Sequence, residues 1–214
     1  MVTDIRVGFL AAAGAAEQLL RRPEVAAAWR APSALAGWSV GGLAGHLAYQ
    51  VLCVREALAA AEPTEQTVGL LDHYARVAWV GAALDADANV RIREGGESFA
   101  ADGPVALHRR LAAALADVTT GLATADGTRP ARLPIWGPWS LTLDDLLATR
   151  TMELAVHGDD LAVSVGVPTP ELPPETADFV VGLLARLAVR RHGWVDVLRG
   201  LSRAERAPGT IAAF

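Results

Sequence analysis

The stretch TLDDLLATRTMELAVHGDDLAVSVG, residues 142–166, carries the clearest helical pattern of the chain. Thr142 followed by Asp145 resembles a capping box with acids in the first turn, and Gly166 is a typical residue just beyond a helix end. A step of about 100° per residue places the large aliphatic residues on one side, as in a helix that packs against a core. The sequence therefore predicts a helix over residues 143–165, with an apolar stripe made of Leu143, Leu147, Leu154, Leu161 and Val165.

Three polar residues, Arg150, Glu153 and His157, fall on the same side of this helix. A carboxylate that faces a core is costly unless it is paired, hydrated or bound to a metal. Glu153 and His157 are four residues apart, so their β-carbons lie about 5–6 Å apart on adjacent turns and both can reach one ion, for which zinc is suitable. The spacing leaves two alternatives open, a buried hydrogen-bonded network without metal and a metal site.

The rest of the chain also predicts helices, because helical periodicity dominates and runs of alternating β-branched residues are almost absent. Ser39 is the expected N-cap of the second helix, whose polar edge carries His46 and Gln50. The third helix is expected to end in the turn Gly95-Gly96. The sequence predicts an all-α domain, with the other helices spanning about residues 3–22, 40–58, 67–93, 104–125, 174–191 and 194–206.

Charge, cysteine count and the length of the apolar runs limit the classes of partner and the cellular compartment that we expect. The formal charge is -5, with 24 acidic against 19 basic residues, so nucleic acid is not expected as a partner. A single cysteine agrees with a reducing compartment, and we expect the cytoplasm. The apolar run of residues 7–16 imitates a signal-peptide core, but Asp4 and continued helical spacing favour a first bundle helix. No apolar stretch is long enough for a membrane span, so no membrane partner is expected.

Several other side chains have two possible interpretations each, one structural and one functional. Asp160 is either a solvated acid or an outer partner for the second ring nitrogen of His157, and Arg150 pairs with Glu153 or binds a substrate carboxylate. Trp136 and Trp139, in the Pro-rich loop 126–141, either line a substrate cleft or cap the core.

The remaining histidines and the cysteine are not ligand candidates from their sequence context. His73 and His108 have polar neighbours and are expected at the surface, and His192 lies near a helix end. Cys53 is interpreted as a small buried packing residue rather than a nucleophile.

Two segments resemble the signature regions of the mycothiol-dependent maleylpyruvate isomerase family, which belongs to the DinB-like metalloenzymes. They are GWSVGGLAGHLAYQ, residues 37–50, and LATRTMELAVHGDDLAVSVG, residues 147–166, and the ending APGTIAAF, residues 207–214, is similar to short actinobacterial members. The resemblance implies a DinB-like four-helix bundle over residues 1–166 that binds a divalent metal, zinc, through His46, Glu153 and His157. Residues 167–214 are then expected to form a helical extension packed on the bundle.

The resemblance also implies an activity. Two histidines and one carboxylate leave a coordination position open, as in catalytic zinc sites, and the implied cofactor is mycothiol, a low-molecular-weight thiol that attacks a small electrophilic substrate. The expected class is an isomerase or S-transferase. Two rivals stay open: a metal-dependent hydrolase or biosynthetic rearrangement enzyme that needs no thiol, and a non-catalytic ligand-binding bundle. A homodimer formed through an exposed apolar helix face is also left open.

Overall fold

The computed structural model describes residues 4–214, and it is helical over most of that length. Thr3, where the first helix was expected to begin, lies outside the described residues. The described residues form nine α-helices: α1 Ile5–Leu20, α2 Pro23–Ala27, α3 Val40–Ala59, α4 Leu70–Tyr74, α5 Asp87–Ala100, α6 Pro104–Leu122, α7 Leu143–Val165, α8 Pro174–His192 and α9 Trp194–Ser202. One antiparallel pair of two-residue strands, β1 Pro130–Ala131 and β2 Leu141–Thr142, lies between α6 and α7.

Four long helices, α1, α3, α6 and α7, pack against one another and enclose the main core, which confirms the predicted all-α bundle. Local sequence sets their ends. The hydroxyl of Ser39 accepts a hydrogen bond from the Gly42 amide at the start of α3, and that of Thr142 accepts one from the Asp145 amide at the start of α7. Gly166 ends α7 in the left-handed conformation, with φ 70°. The largest fully buried side chains are Phe9, Leu43, Leu47, Leu52, Leu107, Leu111, Leu133, Leu141, Leu143, Leu146, Leu147 and Met152.

The prediction of a single third helix over residues 67–93 is wrong. The structure has the short α4, a stretch of turns and then α5, and the pair Gly95-Gly96 lies inside α5 instead of ending a helix. Gly96 packs directly against α3: a β-carbon at this position would lie 2.9 Å from the Trp38 ring and closer still to the carbonyl oxygen of Gly42. The missing side chain therefore permits a close crossing of α3 and α5, and it does not mark a turn.

The C-terminal segments are helical where the sequence predicts it, and they cover one side of α7. Val180, Leu183 and Leu187 of α8 form a second apolar cluster with Met152 of α7 and Tyr74 of α4. The last predicted helix, residues 194–206, ends earlier, at Ser202, and one turn of 3-10 helix follows over Ala204–Arg206. Within residues 4–214, no helix is long and apolar enough to span a membrane.

Candidate metal centre

Three potential ligand atoms from two bundle helices come together in the interior. His46 lies on α3, and Glu153 and His157 lie one turn apart on α7; their ligand atoms all lie within 4.8 Å of one another. The Nε2 atoms of His46 and His157 lie 3.8 Å and 3.1 Å from the Glu153 Oε2 atom. The side chains of all three are between 11% and 17% exposed, so the group is sheltered but reachable. The structure thus brings together the three residues that the sequence singles out.

This geometry fits a tetrahedral metal ion. Zinc binds histidine nitrogen and carboxylate oxygen at about 2.0–2.1 Å, which separates neighbouring ligand atoms by about 3.3 Å in a tetrahedron. The two measured separations, 3.1 Å and 3.8 Å, lie on either side of that value. All three ligand atoms lie within 4.8 Å of one another, and three protein ligands leave a fourth position for another molecule.

The charges of the three residues are set by burial and by one another. Burial alone would raise the pKa of Glu153, but a hydrogen bond from His157 and the nearby positive charge of Arg150 hold it well below its usual range. Burial lowers the pKa of His46 to about 4, so its ring is neutral near pH 7. Burial also disfavours the charged form of His157, but hydrogen bonds to Asp160 and Glu153 outweigh it and raise its pKa to about 9. Without metal, the site pairs one carboxylate with one imidazolium.

Asp160 lies where an outer partner of His157 is expected. Its Oδ2 atom is 3.0 Å from His157 Nδ1, while His157 Nε2 faces Glu153. A carboxylate on the second ring nitrogen fixes the orientation of a metal-binding histidine and increases its basicity. The position of Asp160 therefore suits an orienting role.

Arg150 does not form the expected ion pair with Glu153. No carboxylate oxygen of residues 4–214 lies within 4.0 Å of its guanidinium, because Glu153 turns towards the two histidines. Arg150 instead donates to Gln50 Oε1 at 2.6 Å and to Thr149 Oγ1 at 2.9 Å. Gln50 is the site neighbour that the sequence reading left without a role, although its place four residues after His46 put it on the same helix face.

The expectation that His73 lies at the surface is also wrong. His73 is buried, its Nδ1 atom accepts a hydrogen bond from Trp139 Nε1 at 3.0 Å, and its ring centroid lies 4.5 Å from that of Trp136. Burial lowers the pKa of His73 to about 4. The polar sequence neighbours of His73 suggested exposure, but α4 packs against α7, and Trp136 and Trp139 cover the His73 ring.

The other side chains outside the site have structural partners. Trp136 and Trp139 are mostly buried and belong to the main core, so they cap it; whether they also line a substrate cleft stays a prediction. His108 is half-buried and pairs with Glu17, and His192 contacts the carbonyl oxygen of Ala212. Cys53 is buried in the core, which raises the pKa of its thiol to about 11 and agrees with a packing role.

Comparison with known proteins identifies a family and a similar solved structure. Residues 9–162 match the family described as mycothiol maleylpyruvate isomerase N-terminal domain. A crystal structure of the mycothiol-dependent maleylpyruvate isomerase superposes with a TM-score of 0.56, covering 86% of this chain and 68% of that one. The two sequences are 14% identical, so this likeness concerns the fold. A search of curated proteins gives no match.

Proposed function

The chain belongs to the mycothiol maleylpyruvate isomerase N-terminal domain family, and on this premise we propose that it is a zinc-dependent enzyme that activates a low-molecular-weight thiol, mycothiol, for attack on a small electrophile. The observation that carries the proposal is the convergence of His46, Glu153 and His157 on one buried point. The reaction is an isomerisation or an S-transfer. In an isomerisation the carbon–sulfur bond forms and breaks again, so the thiol is regenerated; in an S-transfer the bond persists, and either a leaving group departs from the substrate or the carbon next to the attacked one takes up a proton.

The donor set suits a metal that takes part in chemistry. Structural zinc sites are usually closed by four protein ligands, and this site offers two imidazoles and one carboxylate. A zinc ion held there would supply a Lewis acid with one open position, where the pKa of a thiol falls and its sulfur becomes a nucleophile near pH 7. Among the protein groups, Asp160 orients the His157 ring, and the low exposure of the three ligand side chains, 11–17%, limits the access of water.

The cysteine of the protein is a poor candidate for the nucleophile. Cys53 is buried, its Sγ atom contacts the backbone carbonyl oxygen of Gln50 at 3.6 Å, and its pKa is raised to about 11. A thiol with this pKa is almost wholly protonated at pH 7, and the thiolate is the reactive form. An external thiol is therefore the better source of the attacking sulfur.

The test is thiol-dependent turnover by metal-loaded protein. Wild type, Glu153→Gln and the control His108→Ala are each incubated with mycothiol and a panel of electrophiles that includes maleylpyruvate, and conjugates and isomers are followed by mass spectrometry. His108→Ala is a matched control because His108 also pairs with a carboxylate but lies outside the ligand group.

We expect turnover in wild type and His108→Ala, and its loss in Glu153→Gln. Turnover that needs the metal but no thiol would replace the proposal with a hydrolase or a rearrangement enzyme. Metal binding without any turnover across the panel would favour a non-catalytic ligand-binding bundle.

A further inference from the structure

A chain of buried hydrogen bonds runs from the backbone of α7 to α3 and ends at the candidate metal centre. The Thr149 hydroxyl donates to the Leu146 carbonyl oxygen at 2.7 Å, and its oxygen accepts from Arg150 Nε at 2.9 Å. The same guanidinium donates through Nη1 to Gln50 Oε1 at 2.6 Å. Thr149 and Gln50 are fully buried and Arg150 is 7% exposed, so water competes little with these bonds.

This chain determines which way the Gln50 amide points. A guanidinium has donors and no acceptor, so the amide atom that it meets at 2.6 Å must be the oxygen. The amide nitrogen then points towards His46, where it donates to the backbone carbonyl oxygen at 2.9 Å. A reversed amide would place two donors together at Arg150 and two acceptors together at His46. Two independent contacts thus agree on one orientation.

The second proton of the amide faces the His46 ring, since Gln50 Nε2 lies 3.2 Å from His46 Nε2. A neutral imidazole has one N–H and one lone pair, and the atom that meets a donor must carry the lone pair. His46 Nε2 is also the ring atom that faces Glu153 Oε2. The atom that is directed at the candidate metal centre is therefore the unprotonated one.

We infer that Arg150, acting through Gln50, holds His46 in the Nδ1–H tautomer, so that Nε2 is a free ligand before any metal arrives. The expected effect of this tautomer on metal binding rests on the proposed function. Arg150 and Gln50 are positioning residues in this scheme. A metal bound at Nε2 would replace one hydrogen bond of the Gln50 amide, which would keep its bond to the His46 carbonyl oxygen.

The two histidines of the site thus have different hydrogen-bond partners that set their protonation for metal binding. His157 has a carboxylate, Asp160, on Nδ1, which is the usual outer partner of a metal-binding histidine. The tautomer of His46 is set instead by a donor to the ligand atom Nε2. That donor is the neutral amide of Gln50, whose orientation is fixed by the buried guanidinium of Arg150. The carboxylate of Glu153 also faces His46 Nε2, but at 3.8 Å it lies beyond hydrogen-bond distance, whereas the Gln50 amide nitrogen lies at 3.2 Å.

The tautomer is tested on metal-free protein labelled with ¹⁵N at histidine, by long-range ¹H–¹⁵N correlation spectra near pH 7. In wild type we expect His46 to be protonated at Nδ1 only. Gln50→Glu keeps the side-chain shape and the partner of Arg150 but puts an acceptor against Nε2, so we expect a proton on Nε2. Arg150→Met frees the amide to turn, so we expect a mixture of tautomers. His157, which bonds Asp160, is the internal control and should not change.

Metal affinity gives a second readout, by competition between the protein and a chelator for Zn²⁺. Arg150→Met should bind zinc a few-fold more weakly, because only the fraction of the protein in the Nδ1–H tautomer is ready to bind the ion. Circular dichroism of each variant checks that the fold is retained, and Gln50→Glu is the alternative if Arg150→Met does not fold.

The outcomes separate the inference from the proposed function. A proton on His46 Nε2 in metal-free wild type, or a pattern that neither substitution alters, would overturn the inference. The expected spectra in a wild type that binds no zinc would support the tautomer assignment and overturn the proposed function.

Discussion

Two adjacent glycines of α5 offer a sharp test of how α5 packs on α3. A β-carbon on Gly96 would lie 2.9 Å from the Trp38 ring, whereas a β-carbon on Gly95 would have no atom within 4 Å. Ordinary contact begins near 3.4 Å and the carbonyl oxygen of Gly42 would lie closer still than the ring, so Gly96→Ala requires the backbones of α3 and α5 to move apart by more than 0.5 Å (3.4 − 2.9). The Trp38 ring lies 5.3 Å from that of His46, so this shift occurs next to the candidate metal centre.

The two substitutions are expected to change the free energy of unfolding in opposite directions. Inserting a methyl group into a well-packed contact costs about 1–3 kcal/mol, and alanine recovers about 0.5–1 kcal/mol over glycine inside a helix. Gly96→Ala should therefore lower the free energy of unfolding by up to about 2.5 kcal/mol, whereas Gly95→Ala should raise it by about 0.5–1 kcal/mol.

The assay is urea unfolding of both variants and wild type, followed by circular dichroism and compared at equal m-values. The same residue is introduced at neighbouring positions of one helix, so helix propensity cancels and packing remains. A Gly96→Ala protein as stable as Gly95→Ala would refute the close crossing.

Three further predictions concern the buried groups and the metal. The pKa of His73 is about 4 when folded and near 6.5 when unfolded, so the unfolded chain takes up the proton first, and stability should fall by about 3 kcal/mol from pH 7 to pH 4. His73→Gln should remove that part of the pH dependence in denaturant titrations, and an unchanged profile would argue against a buried neutral His73. Cys53 should not react with a thiol reagent at pH 8 in native protein but should react fully in urea; rapid native labelling would contradict its burial. Chelation should leave the far-ultraviolet circular dichroism largely intact, since the bundle core does not depend on the ion; its collapse would identify a structural metal.

The parts of the fold that the sequence predicts are those with local signals at both ends. α7 has a threonine cap at Thr142 and a left-handed glycine at Gly166, and these fix its register and hence which side Glu153 and His157 share. Ser39 marks the start of α3 and so helps to set the face on which His46 lies. Side chains placed by such helices could be assigned to one face before the structure was known.

The errors concern choices that depend on tertiary contacts. A pair such as Gly95-Gly96 is equally suited to a turn or to a close helix crossing, and only the position of α3 decides between them. Arg150 and Glu153 have the spacing of an ion pair, but His46 from another helix competes for the carboxylate and Gln50 for the guanidinium. No local pattern in a single sequence encodes that competition.

The most direct test of the proposed metal centre is the zinc content of purified protein, measured by elemental mass spectrometry after the protein has been loaded with zinc and dialysed. Wild type and His108→Ala should each retain about one zinc ion per chain, and His46→Ala, Glu153→Ala and His157→Ala should each lose it, because all three supply ligand atoms within 4.8 Å of one another. Equal zinc in all five proteins, or none in wild type, would contradict a metal centre at these residues.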